Sequence, residues 1–232
     1  PHHLAFRCNI ITIENGIIND YSSGHITSEE SKPLMEFIQS KLHEEGVDFY
    51  PGVQYRHILR LDGNRFSEKV ICTPPHDVMD QPCDKYLVKP MDPSDKKAVY
   101  TAEFFNDLIK KSGEILSEHP INQKRKEEGK SMATHIWMWG GGKKPNVVPF
   151  KEKYGLTGGV ISAVDLIFGL AAAFGLKKLH VDGATGLLDS NLEGKVEAAI
   201  NELKENDFVY VHVEAPDEMG HSGDPKKKIE AM

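Results

Sequence analysis

The second half of the chain alternates between short apolar runs and helical patterns, and this alternation constrains the fold more than any other feature. Strands are predicted at residues 134–139, 178–181 and 208–213, and helices at residues 160–174 and 194–203. Strands that alternate with helices are typical of right-handed βαβ units. We therefore predict that these three strands lie parallel in one sheet of an α/β domain.

The start of the chain follows a different pattern, with a hairpin and a helix in separate blocks. Isoleucines flank Asn15-Gly16, a residue pair preferred in type I′ turns, so residues 6–18 predict a β-hairpin. Thr27 and Glu30 then have the spacing of a capping box, which predicts that a helix begins at Thr27.

The pattern stays α+β up to about residue 130. Residues 55–61 predict a strand, and Ser94 is predicted to cap a long helix that Pro120 ends. Residues 122–131 are charged and predict a hinge-like connection.

The change of pattern predicts a domain boundary near Gly129. We expect an α+β domain at residues 1–130 and part of an α/β domain at residues 131–232. The chain opens at Pro1 without an initiator methionine and stops at Met232 within a helical pattern, so both ends are expected to be cut.

Composition excludes several classes of function. A net charge of -7 argues against a nucleic-acid surface, which needs clustered Lys and Arg. The three cysteines do not form a C-x-x-C pair or an even-numbered framework, so reduced thiols in a cytoplasmic protein are expected. No apolar run approaches the roughly 18 residues that a transmembrane helix needs, so no membrane partner is expected.

Asp217 and His221 form the sharpest local motif, directly after the last predicted strand. Ligands of α/β sheets gather at the carboxyl ends of strands, and residues four apart lie on one side of a helical turn. We predict that the two side chains lie within about 5 Å of each other and share one metal ion. The alternative is a polar loop that leads into a helix.

Other motifs allow a functional and a structural interpretation. Arg56 follows a Pro-Gly turn and could hold a phosphate or carboxylate, although an isolated Arg is usually a surface residue. His76 and Asp77 pair an imidazole with a carboxylate in what is otherwise a rigid connection. Residues 20–25 contain Asp, Ser and His, but a turn before the helix is the more economical interpretation.

Two glycine-rich segments lie near predicted strand ends. Residues 139–142 read Trp-Gly-Gly-Gly, but the G-x-x-x-x-G-K-[ST] order of a P-loop is missing, which disfavours an NTPase. Residues 183–186 read Gly-Ala-Thr-Gly, where small residues permit close approach of a ligand or of a neighbouring segment.

Taken in order, these segments resemble the archaeal-type cofactor-independent phosphoglycerate mutases of the alkaline phosphatase superfamily. The matching segments are Ala-Phe-Arg-Cys-Asn (5–9), Asp-Tyr-Ser-Ser-Gly-His-Ile (20–26), Tyr-Pro-Gly-Val-Gln-Tyr-Arg (50–56), Pro-Pro-His-Asp (74–77), Trp-Gly-Gly-Gly (139–142), Gly-Ala-Thr-Gly (183–186) and His-Val-Glu-Ala-Pro-Asp-Glu-Met-Gly-His (212–221). The resemblance spans nearly the whole chain.

The resemblance implies an inserted, substrate-closing domain at residues 1–130 and part of a two-metal, alkaline-phosphatase-like core after it. It implies Mn, Mg or Zn as the two divalent ions, with Asp217 and His221 as ligands of one of them. The implied substrate is a small phosphorylated sugar acid, and the implied contacts are Arg7, Arg56, His76, Asp77 and, more weakly, Lys195.

The implied reaction interconverts 2-phosphoglycerate and 3-phosphoglycerate through a phosphoserine. The family's nucleophilic Ser and its other metal ligands have no counterpart here, so this chain alone is expected to be inactive. A homoserine kinase-like phosphotransferase of the same family is the alternative enzyme, and a non-catalytic fragment or binding module is the alternative from another class.

Overall fold

The computed structural model describes residues 2–232, apart from the side chain of His221. The chain divides into two compact units, Pro1–Lys144 and Pro145–Met232. The predicted boundary near Gly129 therefore falls too early, because the strand after it belongs to the first unit. Among the described residues, no helix is both long and apolar enough to cross a membrane.

The first unit contains a long central strand and an antiparallel sheet built around it. The strands are β1 (His3–Glu14), β2 (Ile17–Asp20), β3 (Val47–Tyr50), β4 (Arg56–Asp62) and β7 (His135–Lys143), with β5 (Val70–Ile71) and β6 (Lys89–Pro90) forming a separate pair. β1 pairs with β4, β7 and β2, and β4 pairs with β3, all antiparallel.

Three helices complete this unit, namely α1 (Ser28–Leu42), α2 (Lys96–Leu116) and α3 (Pro120–Glu127). Thr27 caps α1 through the predicted capping box with Glu30. The N-cap residue of α2 is Asp95 and not Ser94, because the Asp95 carboxylate accepts hydrogen bonds from free backbone amides of the first turn. The predicted hinge at residues 122–131 is wrong, since most of it is α3, a helix with Asn122 and Arg125 buried.

Apolar side chains alternate along the strands and bury one face of the sheet. Leu4, Phe6 and Cys8 of β1 face the same core as Leu59 of β4, and Phe6 meets Phe105 of α2 edge-on at 4.8 Å between ring centroids. On the opposite face, Arg7 and Arg56 are exposed, whereas Ile11 of β1 is buried. One face of the sheet is therefore packed, and the other is open only along the first part of β1 and beside Arg56.

The second unit is α/β with a parallel sheet, as predicted, but the strands of that sheet are not all the predicted ones. Its elements are α4 (Phe150–Tyr154), β8 (Gly158–Ile161), α5 (Asp165–Phe174), β9 (Lys177–Leu179), α6 (Leu192–Glu202), β10 (Phe208–Val211), α7 (Ala215–His221) and α8 (Pro225–Glu230). β10 and β9 flank β8, and both pairings are parallel.

Two sequence predictions fail here. Residues 134–139 do not join the parallel sheet, because residues 135–139 lie in β7 and pair antiparallel with β1 in the first unit. Residues 160–174 are not one helix, because their first part is the end of β8. A short apolar run has no periodicity that separates a buried strand from a buried helix.

Candidate functional site

Arg7 and Arg56 lie on the exposed face of the antiparallel sheet in the first unit. The register pairs Arg7 with Ile58 and Asn9 with Arg56, so the two arginines are diagonal neighbours on the same face. The strand pairing therefore brings together two of the predicted substrate contacts, although they are far apart in the sequence.

Trp139 supports the first of these arginines. The Arg7 guanidinium lies 4.2 Å from the centroid of the Trp139 ring, and Trp139 is its partner across the β1–β7 pair. The indole Nε1 of Trp139 donates to Oδ1 of Asn9 at 3.1 Å, and Asn9 is almost fully buried. The ring orientation is thus fixed by a hydrogen bond beneath it.

A series of ring contacts joins Trp139 to Arg56. His76, in the short 3-10 helix Pro75–Asp77, lies 5.3 Å from the Trp139 ring and 5.9 Å from the Tyr21 ring. Tyr21 meets Tyr55 at 5.5 Å, and the Arg56 guanidinium lies 4.9 Å from the Tyr55 ring.

We refer to these six residues together as the two-arginine cluster. It consists of Arg7, Trp139, His76, Tyr21, Tyr55 and Arg56. Asp77 adjoins the cluster, with its Oδ1 3.6 Å from Nε2 of His76. Four of the five predicted substrate contacts thus lie in or beside one patch of the first unit.

The two arginines of the cluster carry positive charge that no described carboxylate pairs with. Three of the five arginines in the chain pair with carboxylates at 2.6 Å, namely Arg60, Arg65 and Arg125. Arg7 and Arg56 form no ion pair within the described part of the chain. Partial burial and the nearby Arg56 charge lower the pKa of the Arg7 guanidinium, and Tyr55 opposes this effect. An anion bound between them would relieve this repulsion.

Residues 20–25 form a turn and not a catalytic triad. The Asp20 carboxylate accepts hydrogen bonds from the Ser22 amide, the Ser22 hydroxyl and the Gly24 amide, each at 2.7 Å. Burial raises the pKa of Asp20, but these hydrogen bonds and nearby His25 outweigh it and hold the pKa below its ordinary value. The interpretation as a turn is confirmed, and Tyr21 lies within this turn.

Polar side chains of the second unit meet at the carboxyl ends of β8 and β10. Ser162 Oγ lies 3.2 Å from Nδ1 of His212, and Nε2 of His212 lies 3.1 Å from a Glu214 carboxylate oxygen. The Lys195 ammonium, on α6, donates to the carbonyl of His212 at 2.9 Å.

Lys195 is only 1% exposed, and burial lowers the pKa of its ammonium while Glu214 opposes this shift. The structure therefore places Lys195 as a support of the segment before α7. Its role as a substrate contact remains a prediction.

Asp217 lies in the first turn of α7, close after the end of β10, as predicted. The side chain of His221 lies outside the described residues, so the expected distance between the two side chains remains a prediction. Elsewhere in the described chain, no group of three or more His, Cys, Asp or Glu side chains could hold a metal ion. The described side chains therefore do not by themselves fit a complete divalent-metal site.

Sequence reasoning missed several residues of these two sites. In the sequence, Trp139 stands out only as the start of a glycine-rich segment, and its partner Asn9 lies 130 positions away. Tyr21 and Tyr55 lie inside matched segments but carry no spacing signal of their own. Ser162 follows the apolar run of β8, and it could have been found as a polar residue at a strand end if that run had been assigned as a strand.

Comparison with known proteins agrees with the ordered motifs. Residues 1–122 match the family model described as 2,3-bisphosphoglycerate-independent phosphoglycerate mutase. A protein of that name from Methanosarcina barkeri is 50% identical over 229 residues, covering 99% of this chain and 55% of the relative. A relative from Geobacter sulfurreducens, named as a probable enzyme of this kind, is 42% identical over 233 residues, again 99% of this chain and 56% of its own length.

Two solved structures share this fold, and one of them is named as a phosphoglycerate mutase. A Pyrococcus horikoshii protein superposes with a TM-score of 0.73 at 28% identity, covering 99% of this chain and 51% of that one. A cofactor-independent phosphoglycerate mutase from Thermoplasma acidophilum superposes with a TM-score of 0.63 at 27% identity, covering 91% of this chain and 54% of that one. The chain spans about half the length of the curated relatives it matches. It belongs to the 2,3-bisphosphoglycerate-independent phosphoglycerate mutase family.

Proposed function

We propose that the protein containing this chain interconverts 2-phosphoglycerate and 3-phosphoglycerate through a phosphoserine intermediate, in glycolysis and gluconeogenesis. The observation that carries the proposal is the pair of unneutralised guanidinium groups, Arg7 and Arg56, on the exposed face of a sheet within the matched residues. Relatives with the same mutase name support the choice of reaction.

The chemistry of the cluster suits this substrate. Phosphoglycerate carries a carboxylate and a phosphate, and each is a planar or branched anion that an arginine fork can bind through two hydrogen bonds. Trp139 fixes Arg7 and Tyr55 flanks Arg56, so little side-chain freedom is lost on binding. His76 lies between the two arginines along the ring contacts, and we assign it the role of a hydrogen-bond donor to a bound oxygen.

The rest of the assignment concerns the second unit. We place it in an alkaline-phosphatase-like core of a cytoplasmic enzyme, a placement that its parallel sheet and its Asp217-x-x-x-His221 segment support. When bound, two divalent ions of Mn, Mg or Zn would activate the phosphoryl acceptor. Since the described side chains do not complete a metal site, we assign no step of the reaction to a metal.

The test is to replace each arginine of the cluster by methionine in the full-length protein. We expect Arg7→Met and Arg56→Met each to raise KM for 3-phosphoglycerate by about tenfold to a hundredfold, because one charge-assisted contact to the anion is lost. The matched control is Arg60→Met. Arg60 lies in β4, like Arg56, but already pairs with Asp48. KM should stay within about twofold of the unmodified value in that control.

The outcomes separate the candidate functions. Unchanged KM in both cluster variants would contradict the substrate assignment. ATP-dependent phosphorylation of homoserine by the full-length protein, without mutase turnover, would favour the kinase alternative. Binding of 3-phosphoglycerate with no turnover of either kind would favour a binding module.

A further inference from the structure

The loop that presents Tyr21 to the two-arginine cluster has an unusual backbone. Ser23, Gly24 and His25 follow one another with positive φ angles of 51°, 64° and 50°. Residues other than glycine seldom adopt this left-handed region, and a run of three needs support from its surroundings. The Asp20 hydrogen bonds brace the first half of the loop, and Ser23 Oγ donates to the Ile10 carbonyl at 3.1 Å.

Arg125 supplies the remaining support. This side chain of α3 is only 3% exposed, and it binds three separate segments of the chain. Its Nη2 donates to the Ser23 carbonyl at 2.6 Å, its Nη1 to the Glu30 carboxylate at 2.6 Å and its Nε to the Ser131 carbonyl at 2.8 Å. The guanidinium fork therefore holds the middle of the loop against α1 and against the segment before β7.

The arrangement needs an arginine and a glycine together. A lysine has one ammonium in place of a planar fork and cannot reproduce three divergent hydrogen bonds. A Cβ on Gly24 would lie 3.3 Å from Nη2 of Arg125 and 3.3 Å from Cβ of Ser131. The loop is thus pressed closely against Arg125.

We propose that Arg125 is a positioning residue for the anion site. It holds residues 20–25 in their left-handed conformation and, through them, holds Tyr21 against Tyr55 and His76. This inference rests on the proposed function, because it assumes that the two-arginine cluster binds the substrate.

The experiment is a double-mutant cycle in the full-length protein between Arg125→Met and Tyr21→Ala. We expect Arg125→Met alone to raise KM for 3-phosphoglycerate about tenfold with kcat within about threefold, because ground-state binding is lost and the chemical step is not. In the Tyr21→Ala background, Arg125→Met should change KM by less than about twofold, since the ring that it positions is already absent.

Thermal unfolding of the same four proteins separates positioning from a general structural role. The decrease in Tm caused by Arg125→Met should be the same in both backgrounds, whereas its effect on KM should be present only with Tyr21 in place. Lys124→Met, which removes the preceding exposed cation of α3, should change neither quantity. Additive effects of Arg125→Met and Tyr21→Ala on KM would overturn the inference.

One further variant and a comparison with the cluster variants cover the remaining cases. If Arg125→Met does not fold, Gly24→Ala perturbs the loop and retains the arginine, and it should also raise KM in a Tyr21-dependent manner. Unchanged KM in Gly24→Ala would then count against the inference. If Arg7→Met and Arg56→Met raise KM and Arg125→Met does not, only the inference fails; if all three variants leave KM unchanged, the proposed function fails.

Discussion

At the scale of single residues, two histidines of the first unit, the buried His57 and the half-buried His135, have lowered pKa values. Burial lowers the pKa of His57 to about 4 and that of His135 to about 4. The Gly52 amide donates to Nδ1 of His57 at 3.0 Å, so the proton of the neutral ring is on Nε2. Nε2 is buried and has no partner in the described structure. His57 therefore resists protonation as long as the unit is folded.

This burial predicts that the first unit loses stability in acid. Between pH 6.5 and 4 the unfolded chain binds protons that the folded histidines exclude, so the free energy of unfolding falls as pH falls through that window. Each such histidine contributes a slope of at most about 1.4 kcal/mol per pH unit. Urea unfolding of this chain, followed by tryptophan fluorescence, reports on the first unit because both tryptophans lie there.

The matched variants are His57→Asn, whose side-chain oxygen can still accept from Gly52, and His3→Gln at an exposed position. His57→Asn should reduce the decrease in the free energy of unfolding between pH 6.5 and 4, and His3→Gln should leave that decrease unchanged. An equally steep decline in His57→Asn would contradict the assignment.

The sequence predicted half of the two-arginine cluster. Arg7, Arg56 and His76 lie in motifs that match a family, and Asp77 lies beside them. Trp139 could not be predicted in the same way, because its contact with Arg7 depends on which strand β7 joins. Hydrophobic alternation indicates that a segment is a strand but does not specify its partner.

At the scale of elements, the glycine run of β7 forms a β-bulge and not a phosphate loop. The register changes between Ala5 and Arg7 of β1, which pair with Gly142 and Trp139, so two glycines lie opposite Phe6 alone. Gly140 has a φ of +57°. The bulge sets the register in which Trp139 pairs with Arg7 on the exposed face.

Gly141 and Gly142 provide a matched test of this bulge. A Cβ on Gly141 would lie 2.0 Å from Cε1 of Phe6, whereas a Cβ on Gly142 would have no atom within 4 Å. Gly141→Ala should lower the free energy of unfolding of the first unit by about 1–3 kcal/mol, because the packed Phe6 ring must move. Gly142→Ala should stay within about 0.5 kcal/mol of the unmodified chain.

Urea unfolding at pH 7.5 measures both values. Equal stabilities for the two variants would mean that the close contact between Gly141 and Phe6 is absent.

Elements with local signals were predicted well. Asn15 and Gly16 both have positive φ in the predicted hairpin, and the capping box at Thr27 is present. The errors fall where the deciding interaction is distant. β8 is a strand because its backbone pairs with β9 and β10, and the apolar residues 160–161 fit a buried helix equally well.

At the scale of the whole molecule, the two units differ in how much apolar surface they bury. The large hydrophobic cluster lies entirely within the first unit, where Phe6, Phe66 and Phe105 are almost completely buried. In the second unit, large apolar side chains remain exposed, including Leu166 at 70% and Ile200 at 56%. The first unit thus has a core sufficient for independent folding.

We therefore expect residues 2–144 to fold alone and to unfold cooperatively. Residues 2–129, which lack β7, should not, because Ile136, Trp137 and Met138 supply the core from that strand. Far-ultraviolet circular dichroism during thermal unfolding distinguishes the two fragments. Cooperative unfolding of the shorter fragment would place the boundary near Gly129 after all.

Leu4 and Lys143 are register partners on the neighbouring strands β1 and β7. The polypeptide therefore enters and leaves the first unit at nearly the same point, about 5 Å apart, which is the spacing of adjacent strands. A unit with this property can be inserted into a surface loop of a host protein, because the two ends of the host loop need not move apart to accommodate it. The closeness of these two ends is the geometry that an insertion of residues 4–143 into a host loop requires.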